Sequence, residues 1–222
     1  MLPQATKDQI SRLTLAHHKP LIVCDVDEVV VHFIRAFEQW LEEHGCWLDP
    51  ASFALNGNVK RRSDNMPIPV EELQAHFAGF LSQRTASFEE IENASRSLRQ
   101  LSEIADVIML TNMPHEYYDA RVQNLTSLGM DYPVVVNTGH KGPAMAEITA
   151  ASAAPVIFID DTPSNVLSVR ETLPEVHVVH FMQDPRFGRH CGPIEGISLR
   201  SDNWNETADH IARLIEINGL GA

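Results

Sequence analysis

Short, uninterrupted apolar segments recur along the chain, and a polar residue follows each of them. The clearest are Pro20–Asp25, Asp106–Thr111 and Pro155–Asp161. Apolar runs of this length are typical of strands that are buried on both faces of a parallel sheet. Pro133–Asn137 and Val176–Phe181 have the same form and are predicted as two further strands.

Helical patterns separate the predicted strands. The segment 116–129 ends in a glycine, and 163–173 follows Thr162, a residue that favours a helix N-cap. Asn203 and Glu206 predict a capping box at the start of the last helix. Two weaker patterns predict helices over 5–16 and 143–152. Because strands alternate with helices, the sequence predicts an α/β fold with a doubly wound, Rossmann-like parallel sheet.

The gap between the first two predicted strands is too long for a single crossover connection. Three helical patterns lie in it, over 33–44, 70–81 and 88–104. A polar loop, 56–69, separates the first two of these patterns. We interpret 32–104 as an inserted helical cap over the carboxyl ends of the strands, with 1–31 and 105–222 forming the α/β core.

The charge and the cysteines restrict the partners and the compartment. The chain has 17 basic and 30 acidic residues, for a net charge of −13 at pH 7. So acidic a chain disfavours a nucleic-acid polymer or an anionic membrane as partner. The three cysteines are widely spaced, which favours a reducing compartment. Without an apolar segment that resembles a signal peptide or a membrane span, we expect a cytoplasmic protein.

Polar side chains with complementary chemistry follow the predicted strands. They are Asp25, Asp27, Thr111, Asn112, Lys141, Asp160 and Asp161. Taken singly, each has an ordinary structural explanation as a turn residue, a helix cap or a solvated lysine. The carboxyl ends of parallel strands meet at one edge of the sheet, so these residues are expected to converge. Converging carboxylates favour a bound Mg²⁺, and hydroxyl and ammonium groups donate to phosphate oxygens.

The order of these residues resembles that of a known family. DVDEVV at 25–30, LTN at 110–112, Lys141 and IDDTPSN at 159–165 resemble the four motifs of the haloacid dehalogenase superfamily. The resemblance covers about 20–30 and 105–180 and does not extend to the cap. The dehalogenases of this superfamily lack the second acid of the first motif, so Asp27 implies the phosphatase branch.

The resemblance also implies roles for the first three motifs. Asp25 is expected to attack phosphorus and to bind Mg²⁺. Asp27 is expected to protonate the leaving oxygen, to activate water afterwards, and to bind Mg²⁺ through its backbone carbonyl. Thr111, Asn112 and Lys141 are expected to hold the phosphoryl group.

In the fourth motif the chain departs from the common pattern. Asp161 aligns with the usual metal ligand, and Asp160 replaces a common glycine. Asn165 stands where many members have a second acid, so we expect Asp160 to support the metal instead. Glu28 also replaces a common glycine and is expected to affect access to the site.

We therefore expect a Mg²⁺-dependent phosphatase that acts on a small phosphorylated metabolite through an aspartyl-phosphate. A phosphomutase, a 5′-nucleotidase and a phosphate-binding or scaffold protein with little turnover remain as alternatives. The substrate and the oligomeric state do not follow from the sequence. The basic run Lys60, Arg61 and Arg62 has two interpretations, a solvated loop or a contact for a second anionic group of the substrate.

Overall fold

The computed structural model describes residues 2–16, 18–150, 152 and 154–217. The last five residues of the predicted core, 218–222, and residue 151 of the predicted helix over 143–152 lie outside this range. The strands within the described residues are β1 (Leu21–Cys24), β2 (Cys46–Leu48), β3 (Val59–Arg61), β4 (Asp106–Asn112), β5 (Val134–Asn137), β6 (Val156–Asp160), β7 (His177–Phe181) and β8 (Leu199–Ser201).

Six of these strands form one parallel sheet, in the order β5-β4-β1-β6-β7-β8. The first strand in the chain is central, because Cys24 pairs with Met109 of β4 on one side and with Ile159 of β6 on the other. The predicted α/β fold and all five predicted strands are confirmed. The edge strand β8 was not predicted, since it has only three residues, Leu199–Ser201, and one of them is a charged arginine.

Helices cover both faces of this sheet. They are α1 (Gln4–Ile10), α2 (Phe33–Glu43), α3 (Val70–Arg84), α4 (Ala94–Ser102), α5 (Tyr118–Ser127), α6 (Gly142–Thr149), α7 (Pro163–Thr172), α8 (Pro185–Gly188) and α9 (Trp204–Ile217), with 3₁₀ turns at Thr85–Ser87 and His115–Tyr117. Alternate residues of β1 face opposite sides, so that Ile22 packs towards α4, α5 and α9, whereas Val23 packs towards α6 and α7. In the described part of the chain, no helix is long and apolar enough to cross a membrane.

The segment between β1 and β4 holds α2, α3, α4 and an antiparallel pair of strands, β2 and β3. Its buried residues share one hydrophobic cluster with a face of the parallel sheet, from Phe37 and Phe80 in the insertion to Met109 and Ile159 in the sheet. The insertion therefore has no core separate from that of the sheet.

Two predictions within this segment were wrong in detail. The predicted helix over 88–104 begins only at Ala94, because Ile91 donates its backbone N–H to Val30 and Asn93 adopts a left-handed conformation, with φ of 69°. The predicted loop over 56–69 contains β3, in which Val59 is buried opposite Leu48. Both differences come from pairing with residues that are distant in the chain.

The predicted helix termini are confirmed in position but only partly in their hydrogen bonds. Asn203 Oδ1 accepts from the Glu206 backbone N–H at 3.0 Å, as a capping box requires, whereas the Glu206 carboxylate accepts from Ser201. Thr162 precedes α7, but its hydroxyl donates to Asp161 at 3.0 Å instead of capping the helix. The side chain of Thr162 is thus directed towards the strand-end carboxylates.

Candidate active site

A cavity of about 480 Å³ opens where β1, β4 and β6 end. The sheet contributes Asp25, Asp27, Asn112 and Asp161 to its lining. His140 after β5 and Thr162, Ser164 and Asn165 around the start of α7 add polar side chains. The insertion and the residues after β7 contribute the other walls, which are mostly apolar. The parallel topology therefore places the predicted strand-end residues of three motifs around one space.

Lys141 lies beneath this cavity rather than in its wall. Its Nζ is 2.6 Å from Asp25 Oδ1 and 2.7 Å from Asp160 Oδ2, and its side chain is completely buried. A buried ammonium between two carboxylates offsets part of their negative charge, and its two ion pairs compensate the cost of burying it. Lys141 therefore holds Asp25 and Asp160 together below the floor of the cavity.

The pKa values of the buried groups reflect their crowding. Burial and, to a smaller extent, the neighbouring Asp160 raise the pKa of Asp25 to about 6 against the opposing effect of Lys141. Burial, Asp160 and Asp25 together hold the pKa of Asp161 well above its usual range. Burial alone would lower the pKa of Lys141, but its two ion pairs raise it above the ordinary value. Three carboxyl groups are thus crowded around a single ammonium, and a further cation would favour their ionised forms.

These carboxylates fit a hard divalent cation. Asp25, Asp160 and Asp161 each offer an oxygen atom within 4.8 Å of the others. Mg²⁺ is bound in proteins by one or two carboxylates together with water and phosphate oxygens. The donor set and the crowding of its carboxyl groups both match this ion.

The two adjacent aspartates have different surroundings. Asp160 is fully buried and accepts from Lys141, from the Thr162 backbone N–H at 2.8 Å and from Asn165 Nδ2 at 3.2 Å. Asp161 instead lines the cavity. Of the two, Asp161 is better placed to contact a metal directly, while Asp160 orients Lys141. Asn165 supports Asp160 with its amide.

Arg121 is a member of this site that the sequence reasoning missed. Its side chain is completely buried, with Nη2 2.6 Å from Asp27 Oδ1 and the guanidinium 5.2 Å from the centre of the Phe88 ring. Burial raises the pKa of Asp27 and outweighs the opposite effect of Arg121. One signal in the sequence was available, because Arg121 precedes Leu125 by four residues and therefore shares a face of α5 with it.

Thr111 and Asn112 lie at the end of β4, next to the turn that follows β1. The Thr111 hydroxyl is fully buried and has no hydrogen-bond partner within the described residues. Asn112 donates to the Gly139 carbonyl and accepts from Asn137, both at 2.8 Å. Asn112 thereby fixes the loop that leads to Lys141, and its contact with a substrate stays a prediction.

Glu28 joins the turn after β1 to the insertion. It adopts a left-handed conformation, with φ of 59°, which is strained for a residue other than glycine. Its carboxylate accepts from the Ile34 backbone N–H at 2.7 Å, near the start of α2, and from Gln183 Nε2 at 3.1 Å. Burial raises its pKa to about 7. Glu28 therefore forms part of the cavity wall and caps the first helix of the insertion.

The raised pKa of Glu28 predicts a stability that falls with pH when no metal is bound. Between about pH 4.5 and 7 the folded protein keeps the Glu28 proton that the unfolded chain loses, so the free energy of unfolding decreases as the pH rises. Asp25 acts in the same direction. Urea unfolding with chelator at about pH 5 and pH 7 should show the decrease, and Glu28→Gln should remove on the order of 2 kcal/mol of it.

The matched control for this measurement is Glu103→Gln, which changes an exposed glutamate. It should unfold with the same pH dependence as the unmodified protein. A free energy of unfolding that rises between the two pH values in Glu28-containing protein would contradict the assignment of a raised pKa.

The basic run of the insertion does not line the cavity. Lys60 pairs with Asp49 at 2.6 Å, and Arg62 pairs with Glu42 at 2.8 Å. Arg61 lies between Asp64 and Glu72, at 3.6 and 3.5 Å. A second group of potential metal ligands, formed by Cys46, Glu72 and His76, also belongs to the insertion and lies outside the cavity lining.

The fold is that of the haloacid dehalogenase-like hydrolases. It resembles a HAD family hydrolase from Deinococcus radiodurans R1 with bound phosphate and sodium, with a TM-score of 0.60, 13% identity and coverage of 93% of this chain and 99% of that one. It also resembles YfnB from Bacillus subtilis, named as a HAD hydrolase and bound to magnesium, with a TM-score of 0.56, 10% identity and coverage of 90% and 99%.

A third similar structure is a Thermotoga maritima protein named for β-phosphoglucomutase, with a TM-score of 0.57, 12% identity and coverage of 88% of this chain and 99% of that one. No protein-family model and no curated protein matches the sequence. At these identities the similarity establishes the fold, and the activity has to be argued from the site.

Proposed function

We propose that the protein is a Mg²⁺-dependent phosphatase that hydrolyses a small phosphomonoester through a phosphorylated Asp25. The observation that carries the proposal is the group of Asp25, Asp160 and Asp161, whose oxygen atoms lie within 4.8 Å of one another, with Asp25 and Asp161 in the lining of the cavity. Lys141 is buried against two of these carboxylates. Its positive charge offsets part of the repulsion between them and an incoming phosphate. The hydrolase activity, the metal and the aspartyl-phosphate all belong to this proposal.

Each residue has a specific task in the proposed reaction. When bound by Asp25 and Asp161, Mg²⁺ supplies positive charge to the phosphoryl oxygens and screens the carboxylates from them. Asp25 attacks phosphorus, and the bond to the leaving oxygen breaks. Asp27 gives its proton to that oxygen, then takes a proton from the water that attacks the aspartyl-phosphate, which regenerates Asp25 and releases phosphate.

Arg121 is a positioning residue in this scheme. It binds Asp27 Oδ1, and no hydrogen bond to Oδ2 is found within the described residues, so that oxygen is available for the proton transfer. The rise in the pKa of Asp27 through burial favours a carboxyl group that carries a proton when substrate arrives. The contact therefore fixes the carboxyl group in the cavity wall without occupying both of its oxygens.

The apolar walls favour simple hydrolysis over the two alternative enzymes. A phosphomutase and a nucleotidase both have to bind sugar hydroxyls, which need polar partners. The insertion instead presents phenylalanine and leucine side chains, among them Phe33, Phe77 and Leu81. A binding protein with little turnover would not require a second acid beside the nucleophile, whereas Asp27 lies in the same cavity as Asp25.

Hydrolysis of phenyl phosphate is expected to depend on a divalent cation. Chelation should abolish turnover, and Mg²⁺ added in excess should restore it, because Asp25 and Asp161 cannot both carry charge beside a phosphate without a cation. The measurement is phosphate release with chelator, and then with added Mg²⁺. Circular dichroism of the chelated protein controls for unfolding, and full activity of folded protein in excess chelator would contradict the proposed mechanism.

A further inference from the structure

The walls of the cavity above Asp25 are built from aromatic and aliphatic side chains. Those contributed by the insertion and by the segment after β7 include Phe33, Phe53, Leu55, Phe77, Met182 and Phe187. The rings of Phe53 and Phe187 approach each other, with centres 5.9 Å apart, so the insertion and the core meet at this wall. A group bound between these walls loses its contact with water on several sides.

No lysine or arginine lines the cavity among the residues that the structure describes. His140 does line the cavity, and it immediately precedes the buried Lys141 in the chain. The carboxylates of Glu28 and Asp184 also line the cavity. Asp184 is paired with Arg186, whose guanidinium also binds Glu38 at 2.6 Å.

Cations that could serve a second anionic group are therefore engaged elsewhere. This holds for Arg186 and for the basic run of the insertion, whose members pair with Asp49, Asp64, Glu72 and Glu42. A carboxylate or second phosphate on the substrate would face Glu28 and aromatic rings without a compensating charge. Burying an unpaired anion is strongly unfavourable, so such substrates are excluded by the cavity itself.

We infer that this cavity selects phosphomonoesters whose organic group is apolar and carries no second negative charge. The inference rests on the proposed function and names the substrate class of the same site. The cavity, at about 480 Å³, has the size of sites that enclose whole small molecules. An alkyl chain or an aromatic ring attached to the phosphate would replace water against Phe53, Phe77 and Phe187.

Alkylphosphonates test this inference without turnover, because their C–P bond is not hydrolysed in this reaction. Calorimetric titration in excess Mg²⁺ should give dissociation constants that fall about fourfold per methylene from ethyl- to hexylphosphonate, the equivalent of about 0.8 kcal/mol per buried methylene. 3-Phosphonopropionate has nearly the shape of 3-methylbutylphosphonate but carries a carboxylate. It should bind at least about tenfold more weakly.

Two lysine substitutions in the insertion compare a residue that lines the cavity with one that does not. Phe53 is 38% exposed and lines the cavity, whereas Met66 is 57% exposed and does not. Phe53→Lys should weaken hexylphosphonate binding and strengthen 3-phosphonopropionate binding, because it adds the missing cation. Met66→Lys is the matched control and should change neither constant. Replacing Arg61 and Arg62 by alanine should likewise leave both unchanged.

The outcomes distinguish the inference from the proposed function. Dissociation constants that do not change with chain length, tighter binding of 3-phosphonopropionate, or no binding of any phosphonate would each overturn the apolar substrate class. Hydrolysis of hexyl phosphate is measured separately. If the phosphonates bind with the expected order and no ester is hydrolysed, the phosphatase proposal fails, whereas the selectivity of the cavity stands.

Discussion

Asp25→Asn should lower kcat for phenyl phosphate by at least about 10³-fold. An amide oxygen is a poor nucleophile, and no neighbouring carboxylate is held in the same position by Lys141. The substitution should leave the protein folded, because Lys141 keeps its ion pair with Asp160. Since burial raises the pKa of Asp25 to about 6, its charge costs free energy near neutral pH, and the neutral amide removes that cost.

The measurement is single-turnover hydrolysis together with the midpoint of urea unfolding. Asp131→Asn, which changes an exposed aspartate in the loop before β5, is the matched control and should keep full activity. An Asp25→Asn variant with near-normal kcat would refute the assignment of the nucleophile. A large decrease in the free energy of unfolding of that variant would instead contradict the expectation that the ion pair with Asp160 is sufficient to keep Lys141 buried.

Asp27→Asn should slow turnover by roughly 10²–10⁴-fold, the usual contribution of general acid–base catalysis. Asparagine keeps an oxygen that can accept from Arg121, so the loop should retain its geometry. Phenolate is a better leaving group than an alkoxide, so phosphorylation of Asp25 by phenyl phosphate should suffer less from loss of the acid than attack of water on the aspartyl-phosphate suffers from loss of the base. The phosphorylated intermediate is therefore expected to accumulate in this variant.

Acid quenching followed by mass spectrometry should show one added phosphoryl group, and peptide mapping should place it on Asp25. The doubly substituted Asp25→Asn, Asp27→Asn protein is the control and should carry none. An Asp27→Asn variant that turns over normally would remove Asp27 from the reaction. One that is slow but never phosphorylated would show that the acid is needed before the bond to Asp25 forms.

Strands that are buried on both faces were the most predictable part of the fold. Segments such as 20–24 and 155–159 are apolar at every position, because both faces of the parallel sheet are covered by helices. The three-residue strands of the insertion carry no such pattern. Leu48 and Val59 are buried, but Trp47, Lys60 and Arg61 are only partly so, and their pairing depends on each other rather than on local sequence.

The candidate site was predictable wherever its residues follow strands. Asp25, Asp160 and Asp161 converge because parallel strands end at one edge, which the order of the strands in the sequence already implies. Arg121 comes from a helix, and its role depends on how that helix is rotated against the sheet. Glu28 was expected to lie near the entrance of the site, and it lines the cavity. The hydrogen bond from the Ile34 backbone N–H to its carboxylate was not predictable, because it depends on where the first helix of the insertion begins.

The walls of the cavity were the least predictable feature. They join residues from the insertion and from the segment after β7, which are far apart in the chain and belong to no common pattern. The basic run at 60–62 had two interpretations in the sequence, a solvated loop or a contact for the substrate. In the structure its members form ion pairs within the insertion. Selectivity here depends on which residues meet across the cavity, which composition does not reveal.

The central position of β1 has a consequence for how the chain folds. This strand precedes its partners β4 and β6 in the chain, and the entire insertion lies between them. Pairing of β1 therefore closes long loops, and the loss of chain entropy on closing them opposes the formation of the sheet. The phenylalanines of the insertion, among them Phe33, Phe37 and Phe80, pack ring against ring. We expect these contacts within the insertion to form before the strands pair and to shorten the effective loop, so that the helices over the cavity guide the assembly of the sheet below them.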